Sequence, residues 1–340
     1  MPVKALIYEG PRTMTLREVD PPYPVPGEVV VEVAYSGICG SELSGFMGQS
    51  SVRKPPLIFG HEFSGRIADT GSGTMLVKGS RVTANPLISC GHCTFCRAGE
   101  EQLCADRRLL GVARAGSNAA YVAVPEDRVV LLPSALSFEQ ATLAEPIAYA
   151  VHVIEMLTLE SGEVLVVIGM GPIGLFVLQV ALHYGTTHVY AVDTNPERLA
   201  IAQVLGAEAT FNPLHDNVAL VIADATDGLG AHAVVDAVGS AVTRQTAVSL
   251  VRRRGTVIFS GLHMAETSLV VNDMVRNEII TRGAFAYRDD QFCRSVDIIA
   301  QGAVGLENHW IVQAPLADGG HWYEQLITNP GRIAKVLLAP

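Results

Sequence analysis

Between Val164 and Asp193 the chain reads as strand, glycine turn, helix and second strand, and no other stretch restricts the fold as much. Val164-Leu165-Val166-Val167-Ile168 is apolar and rich in β-branched residues, as a strand covered on both faces requires. Gly169-Met170-Gly171-Pro172-Ile173-Gly174 follows at once. Leu175, Val177, Leu178, Ala181 and Leu182 then recur at helical spacing, with Gly185 the predicted C-cap. A second strand, His188 to Val192, ends in Asp193.

Each part of this unit has a physical task. Gly169 permits a tight turn, Gly171 lets the backbone approach a pyrophosphate, and Gly174 lets helix pack close on strand. The helix opening at Pro172 and Ile173 offers free N–H groups and its dipole to phosphate. Asp193, nineteen residues after Gly174, stands where a carboxylate accepts from ribose hydroxyls. The arrangement is the dinucleotide-binding fingerprint in its required context. A membrane span is the competing reading, because Val164 to Leu182 is uncharged over nineteen residues. Three glycines and a proline interrupt it, and polar anchors are not arranged at its ends. Strand plus helix is the reading kept, with no membrane partner.

The pattern continues through a helix from Glu197 to Leu205, ended by Gly206, and strands at Ala209–Asn212, His232–Val238, Gly255–Leu262 and Glu278–Ala286. Such alternation predicts an α/β fold, a doubly wound parallel sheet with helices on both faces. Ligands bind beyond the carboxyl ends of such strands, where Gly169, Val238-Gly239 and Ser260-Gly261-Leu262 fall. A nicotinamide is expected against that edge, with Val238 among its contacts. NAD is favoured over NADP, since a 2′-phosphate beside Asp193 meets like charge and Thr194 and Asn195 are not basic. Arg198 is read as facing solvent or the adenine.

At 340 residues and 49% apolar, the chain has room for about two domains with cores of their own. Its net charge of −10 argues against a nucleic-acid partner. Met1 to Ile7 run into Tyr8-Glu9 without a signal-peptide core, so a cytoplasmic home with reduced thiols is expected.

Residues 1–148 read as mostly β. Glu28 to Tyr35 alternates, and Phe63–Ala68, Arg81–Ala84, Ala120–Val124 and Arg128–Leu132 are short runs between Gly, Pro and polar turns. A barrel-like domain is expected. Within it lies Cys90-x-x-Cys93-x-x-Cys96-x7-Cys104, four thiols at a spacing that closes a tetrahedron around one Zn²⁺ and leaves no open position. A disulfide cluster is the alternative, disfavoured in a reducing compartment. His92 reads as a loop residue, and Cys293 as a buried or inert thiol.

Three further pieces are scattered: Cys39, Gly60-His61-Glu62 and Glu145-Pro146. Singly, they are a small buried thiol, a core histidine and a surface acid before a helix. Together they offer S, N and O donors with a coordination position left for substrate, which is a catalytic zinc set. Thiolate, neutral imidazole and one carboxylate cancel the metal's charge.

Cys39-Gly40-Ser41-Glu42, Gly60-His61-Glu62-Phe63-Ser64-Gly65, the cysteine loop, Glu145-Pro146 and the glycine fingerprint, in this order, resemble the zinc-dependent medium-chain alcohol dehydrogenases. Glu145 in place of a cysteine resembles the polyol and sugar-alcohol branch. The resemblance implies a GroES-like β-barrel catalytic domain at 1–148, a Rossmann domain at 149–286, and a return to the catalytic domain at 287–340. It implies Cys39 and His61 as ligands of a catalytic zinc, with Glu145 or Glu62 as the carboxylate and Glu145 preferred. Cys90, Cys93, Cys96 and Cys104 would hold a structural zinc. Ser41 would relay the substrate proton, and Lys335 would stand at the cofactor pyrophosphate. The activity implied is hydride transfer between a secondary alcohol and NAD, in a homodimer or homotetramer. One departure stands out: the family pattern Cys-Gly-Ser/Thr-Asp-x-His becomes Cys39-Gly40-Ser41-Glu42-Leu43-Ser44, so the distal relay histidine is replaced by Ser44. A zinc-free quinone or enoyl reductase, and a non-catalytic nucleotide-binding protein, are the rival readings.

Overall fold

A computed structural model describes residues 1–186, 188–305 and 310–340. The chain divides into two compact units. The described residues of Met1–Ala148, Tyr287–Gly302 and His309–Pro340 form one, and those of Tyr149–Ala286 and Ala303–Asn308 the other.

The second unit grows from Val164–Ile168, of which every residue is buried. It lies inside a six-stranded parallel sheet ordered Ala209–Phe211, His188–Val192, Val164–Ile168, Ala231–Asp236, Val251–Phe259, Ile280–Gly283. The strand order reverses direction between Val164–Ile168 and Ala231–Asp236, which makes their carboxyl ends the ligand edge. Val166, Ile168, Val192, Val234 and Val257 share one core with Ile222 and Leu250 from the covering helices. Each such side chain stabilises the sheet by about 1.5–3 kcal/mol.

The helix expected after the glycine turn spans Pro172–His183, with Gly171 as N-cap and Pro172 in its first turn. Gly185, at φ +92°, follows its end as expected, its N–H on Leu182 O at 3.0 Å. The next helix, Pro196–Val204, starts one residue earlier than its periodicity predicts because Asn195 caps it, accepting from Glu197 and Arg198 N–H. Val251–Phe259 starts well before the expected Gly255. Among the described residues, no helix is long and apolar enough to cross a membrane.

The first unit is built on Glu28–Gly37, paired antiparallel with Glu62–Thr70, Tyr121–Pro125 and Lys335–Ala339. Arg81–Ala84, Val129–Leu131 and Ile311–Pro315 extend this seven-stranded sheet, and Val3–Gly10, Thr13–Val19 and Leu57–Ile58 form a smaller one. Val29, Val31, Val33, Phe63, Val82 and Val122 pack together as its core. The register aligns two strand ends across Gly37. That residue pairs with Glu62 on one side and Leu337 on the other, which brings the start of the last strand next to Glu62. The described residues of Ala303–Asn308 cluster with the second unit, where Gly305 N–H donates to Gln179 Oε1 at 2.7 Å.

Candidate active site and metal centres

The glycine turn has the tightness its residues predict. A Cβ on Gly174 would lie 1.7 Å from Gly169 O, so the helix reaches this strand only with glycine there. Gly169 has φ +93°, and Val238 Cγ2 occupies the position 2.4 Å from where its Cβ would be. Gly171 is different: a Cβ there meets nothing within 4 Å, which suits a backbone meant to be approached by a ligand. Ile173 is half-buried in the first turn. Asp193 has a second task that sequence reasoning misses. Its Oδ2 accepts from Met170 N–H at 2.6 Å and its Oδ1 from Asn195 N–H at 2.7 Å, so it ties the turn to the second strand. Each oxygen keeps lone-pair capacity for a hydroxyl.

Asp236 also escapes a reading from sequence. Fully buried at the end of its strand, it accepts from Val238 and Gly239 N–H through Oδ1, both at 3.0 Å. Its carbonyl accepts from Ser260 and Gly261 N–H, again at 3.0 Å. One acid thereby organises both neighbouring loops at the ligand edge. Its signal is an aspartate closing an apolar strand just before Ala237-Val238-Gly239.

In the first unit, the sulfurs of Cys90, Cys93, Cys96 and Cys104 all lie within 4.8 Å of one another. The Cys93–Cys96 and Cys90–Cys96 separations are 3.5 and 3.8 Å. A tetrahedron with Zn–S near 2.3 Å has an edge of about 3.8 Å, so the donors fit zinc. Burial works against a thiolate at Cys96, but donors from Ser89, Cys93 and Gly91 outweigh it and bring the thiol down to about 6. His92 stands exposed, its Nδ1 2.7 Å from Cys90 O, as a loop residue.

The second donor set is Cys39, His61 and Glu62, whose ligand atoms also lie within 4.8 Å of one another. Cys39 precedes the short helix Gly40–Phe46, His61 immediately precedes the strand Glu62–Thr70, and Glu62 opens it. Glu145, the preferred carboxylate of the sequence reading, does not join the group. It accepts from the Tyr287 hydroxyl at 3.0 Å instead, and Glu62 takes the place among the donors. Burial chiefly raises the Glu145 carboxyl, to about 7; Glu62 adds to this, while His61, Tyr287 and Lys335 oppose it.

Lys335 requires a correction. It is 1% exposed, and its ammonium donates to Ile38 O at 3.0 Å and to Glu62 Oε2. Read from sequence as a pyrophosphate contact, it is spent inside the first unit as the partner of a buried carboxylate. The pair exists because Gly37 has no side chain: a Cβ there would sit 2.3 Å from Glu62 Oε2 and 3.2 Å from Lys335 Cε. A carboxylate paired through one oxygen keeps the other for a metal.

Ser41 Oγ donates to Cys39 Sγ at 3.3 Å. Sequence reasoning does not anticipate Arg53, whose guanidinium donates to Ser41 Oγ at 3.0 Å and to Ser41 O at 3.1 Å. Arg53 is 7% exposed and stacks 5.7 Å over the Phe59 ring. Gly45 leaves it room, since a Cβ there would be 2.6 Å from Arg53 Cδ. Glu42 reads from sequence only as a departure from a motif. Its Oε1 is 2.9 Å from His61 Nδ1. Burial opposes its charge, but His61, Arg53 and the Tyr323 hydroxyl prevail and hold the carboxyl down at about 2.

Known proteins resemble this chain along nearly its whole length. Residues 25–134 match the alcohol dehydrogenase GroES-like domain, and 172–301 the zinc-binding dehydrogenase domain. The D-arabitol-phosphate dehydrogenase of Enterococcus avium is 30% identical over 96% of this chain and 93% of its own. A Sinorhizobium meliloti 1021 protein solved with NADP bound superposes with a TM-score of 0.92 at 29% identity, over 100% of both chains. The 2R,3R-butanediol dehydrogenase of Bacillus subtilis gives 0.91 at 28%, over 99% of both. With this likeness running through nearly the whole of both chains, the protein belongs to the zinc-dependent medium-chain alcohol dehydrogenase family, in its polyol dehydrogenase branch, and is an alcohol oxidoreductase.

Proposed function

We propose that this chain oxidises a secondary hydroxyl of a polyol, sugar alcohol or vicinal diol with NAD, and reduces the carbonyl in reverse. The observation that carries the reading is the convergence of Cys39, His61 and Glu62 donor atoms within 4.8 Å, beside a second carboxyl at Glu145. Those three would hold a catalytic zinc, and Cys90, Cys93, Cys96 and Cys104 a structural one. When bound, the catalytic zinc supplies Lewis acidity that lowers the pKa of a substrate hydroxyl. A nicotinamide supplies the hydride chemistry.

The chain's own residues do the rest. Ser41 takes the proton of the substrate hydroxyl as it passes its own to water or Ser44, so that the serine stays neutral. Arg53, donating at 3.0 Å, holds Ser41 Oγ in place and puts a fixed positive charge at the start of the relay, where Ser44 stands in place of the usual histidine. Glu145, raised to about 7 and held by Tyr287, would accept a hydrogen bond from a further substrate hydroxyl. Relatives named for D-arabitol phosphate and for 2R,3R-butanediol support a substrate with more than one oxygen on neighbouring carbons. The small-molecule alcohol is the partner proposed, in a cytoplasmic setting.

The preference for NAD rests on Asp193, whose carboxylate would repel a 2′-phosphate. Initial rates of the zinc-loaded protein on a panel of polyols, diols and sugar alcohols, with NAD and NADP in parallel, test both parts. Turnover with NAD on at least one vicinal diol is expected. Asp193→Ser should lower the NAD:NADP ratio of kcat/KM by about tenfold or more. No turnover on any alcohol would remove the substrate reading, and an unchanged ratio would mean that the ribose is read elsewhere.

A homodimer or homotetramer is proposed as the assembly. Ile280–Gly283 closes one side of the sheet with all four residues exposed, next to Val270, Val271 and Val275 at 60–70% exposure. An uncovered edge strand offers a row of unpaired N–H and C=O groups to a symmetric copy. Sedimentation at micromolar concentration should find no monomer, and a monomer would end the proposal.

A further inference from the structure

A histidine that ligates a metal through one ring nitrogen needs the other held, since that contact fixes the ring's tautomer and aim. His61 Nδ1 meets Glu42 Oε1 at 2.9 Å, and the same oxygen accepts from Gly60 N–H at 2.9 Å. The other oxygen, Oε2, accepts from the Tyr323 hydroxyl at 2.6 Å. Tyr323 lies 281 residues further on, in the helix Gly319–Thr328.

The hydrogen bonds behind Tyr323 give the chain a direction. Ser36 Oγ donates to Asn118 Oδ1 at 2.7 Å, which fixes the Asn118 amide. Asn118 Nδ2 then donates to the Tyr323 oxygen at 2.9 Å. With a donor already on its oxygen, the phenol sends its own proton to Glu42. A carboxylate so held only accepts, so in the neutral ring that binds a metal the hydrogen stands on Nδ1, the nitrogen 2.9 Å from Glu42, and Nε2 is the ligand atom. Ser36, Glu42, Asn118 and Tyr323 are all fully buried, and no solvent competes for these contacts.

We infer that Tyr323 is a positioning residue of the metal centre, its hydroxyl holding the Glu42 carboxylate on His61 so that Nε2 faces Cys39 and Glu62. The inference rests on the zinc reading above. It also gives Glu42 a physical account. Glutamate has one more rotatable bond than the aspartate of the family pattern and more freedom to lose. Tyr323 and Gly60 N–H pin its two oxygens.

Tyr323→Phe tests this cleanly, because the ring is fixed by packing against Phe46 and Phe59, with centroids 5.4 and 6.1 Å away. The variant loses only the oxygen. With both sites loaded, release of one zinc per chain to a chromogenic chelator should speed by roughly tenfold to a hundredfold, while the other zinc leaves at the wild-type rate. Cobalt placed at the Cys39 site should show a shifted visible band. Glu42→Gln should speed release at least as much, and the double variant should fall short of the product of the two effects. A wild-type release rate and cobalt spectrum in Tyr323→Phe, with only the melting temperature lowered, would reduce the residue to packing. Independent, fully multiplicative effects would break the proposed link to Glu42. A wild-type protein that holds zinc only at the cysteine loop would overturn the inference together with the reading beneath it, which is a different result from two zincs released alike.

Discussion

Cys39→Ser is expected to cut alcohol oxidation by about a thousandfold and to lower the zinc content from two ions per chain to one. The substitution changes one atom, but a serine hydroxyl stays protonated where a thiol ionises, so the site loses both a charge and its softest donor. His61 and Glu62 remain, and Glu62 keeps its pairing with Lys335. The Lewis acidity lost amounts to several kcal/mol of transition-state stabilisation, and each factor of ten in rate is about 1.4 kcal/mol. Dinucleotide binding should be nearly unchanged, because Gly169 to Asp193 belong to the other unit. Metal analysis, kcat/KM on the best alcohol from the panel and a fluorescence titration with the cofactor form one measurement set. Turnover near wild type with two zincs bound would refute the ligand assignment.

How far a residue's role is legible in the sequence depends on the distance over which its constraint acts. Gly169 and Gly174 are legible because the clash each avoids involves the turn itself or the end of the adjoining strand, and Gly171 because a phosphate must approach an open backbone there. The four-cysteine loop is legible because its donors sit within fifteen residues. The pair Glu62–Lys335 spans 273 residues and depends on both strands flanking Gly37. Lys335 opens an apolar strand with no acid near it in sequence, so the resemblance alone gives it a place, at the pyrophosphate. The choice between Glu62 and Glu145 turns on Tyr287 and Lys335, neither of which lies near its partner in sequence. The helix Gly319–Thr328, which delivers Tyr323, is hidden in the sequence because it begins with two glycines, poor helix formers. Packing explains the first of them: a Cβ on Gly319 would lie 2.3 Å from Leu6 Cδ2.

Cys93→Ser should act on stability and leave the chemistry largely alone, the reverse of the Cys39 variant. The loop around it has little apolar substance of its own. Cys104 and Gln102 are buried, while Phe95 and Leu103 stay 45% and 41% exposed. A segment with so small a core is held by its metal, and binding free energy becomes folding free energy. Cys93 carries a second duty as N-cap of Thr94–Arg97, its sulfur accepting from Cys96 N–H at 3.5 Å. Serine can still cap but cannot complete the tetrahedron. Three thiolates retain part of the affinity, so a loss of a few kcal/mol is expected, about 5–10 °C in melting temperature for a unit of this size. Trypsin should reach Arg97, Arg107 and Arg108 much faster than in the wild type, a local signature that general destabilisation would not give. Below the new melting point, kcat on the preferred alcohol should stay within a few-fold of wild type, since Cys39, His61 and Glu62 come from other segments. A variant that melts normally and resists trypsin after losing one zinc would show that the loop is held by its own contacts, and the second zinc would lose its structural role.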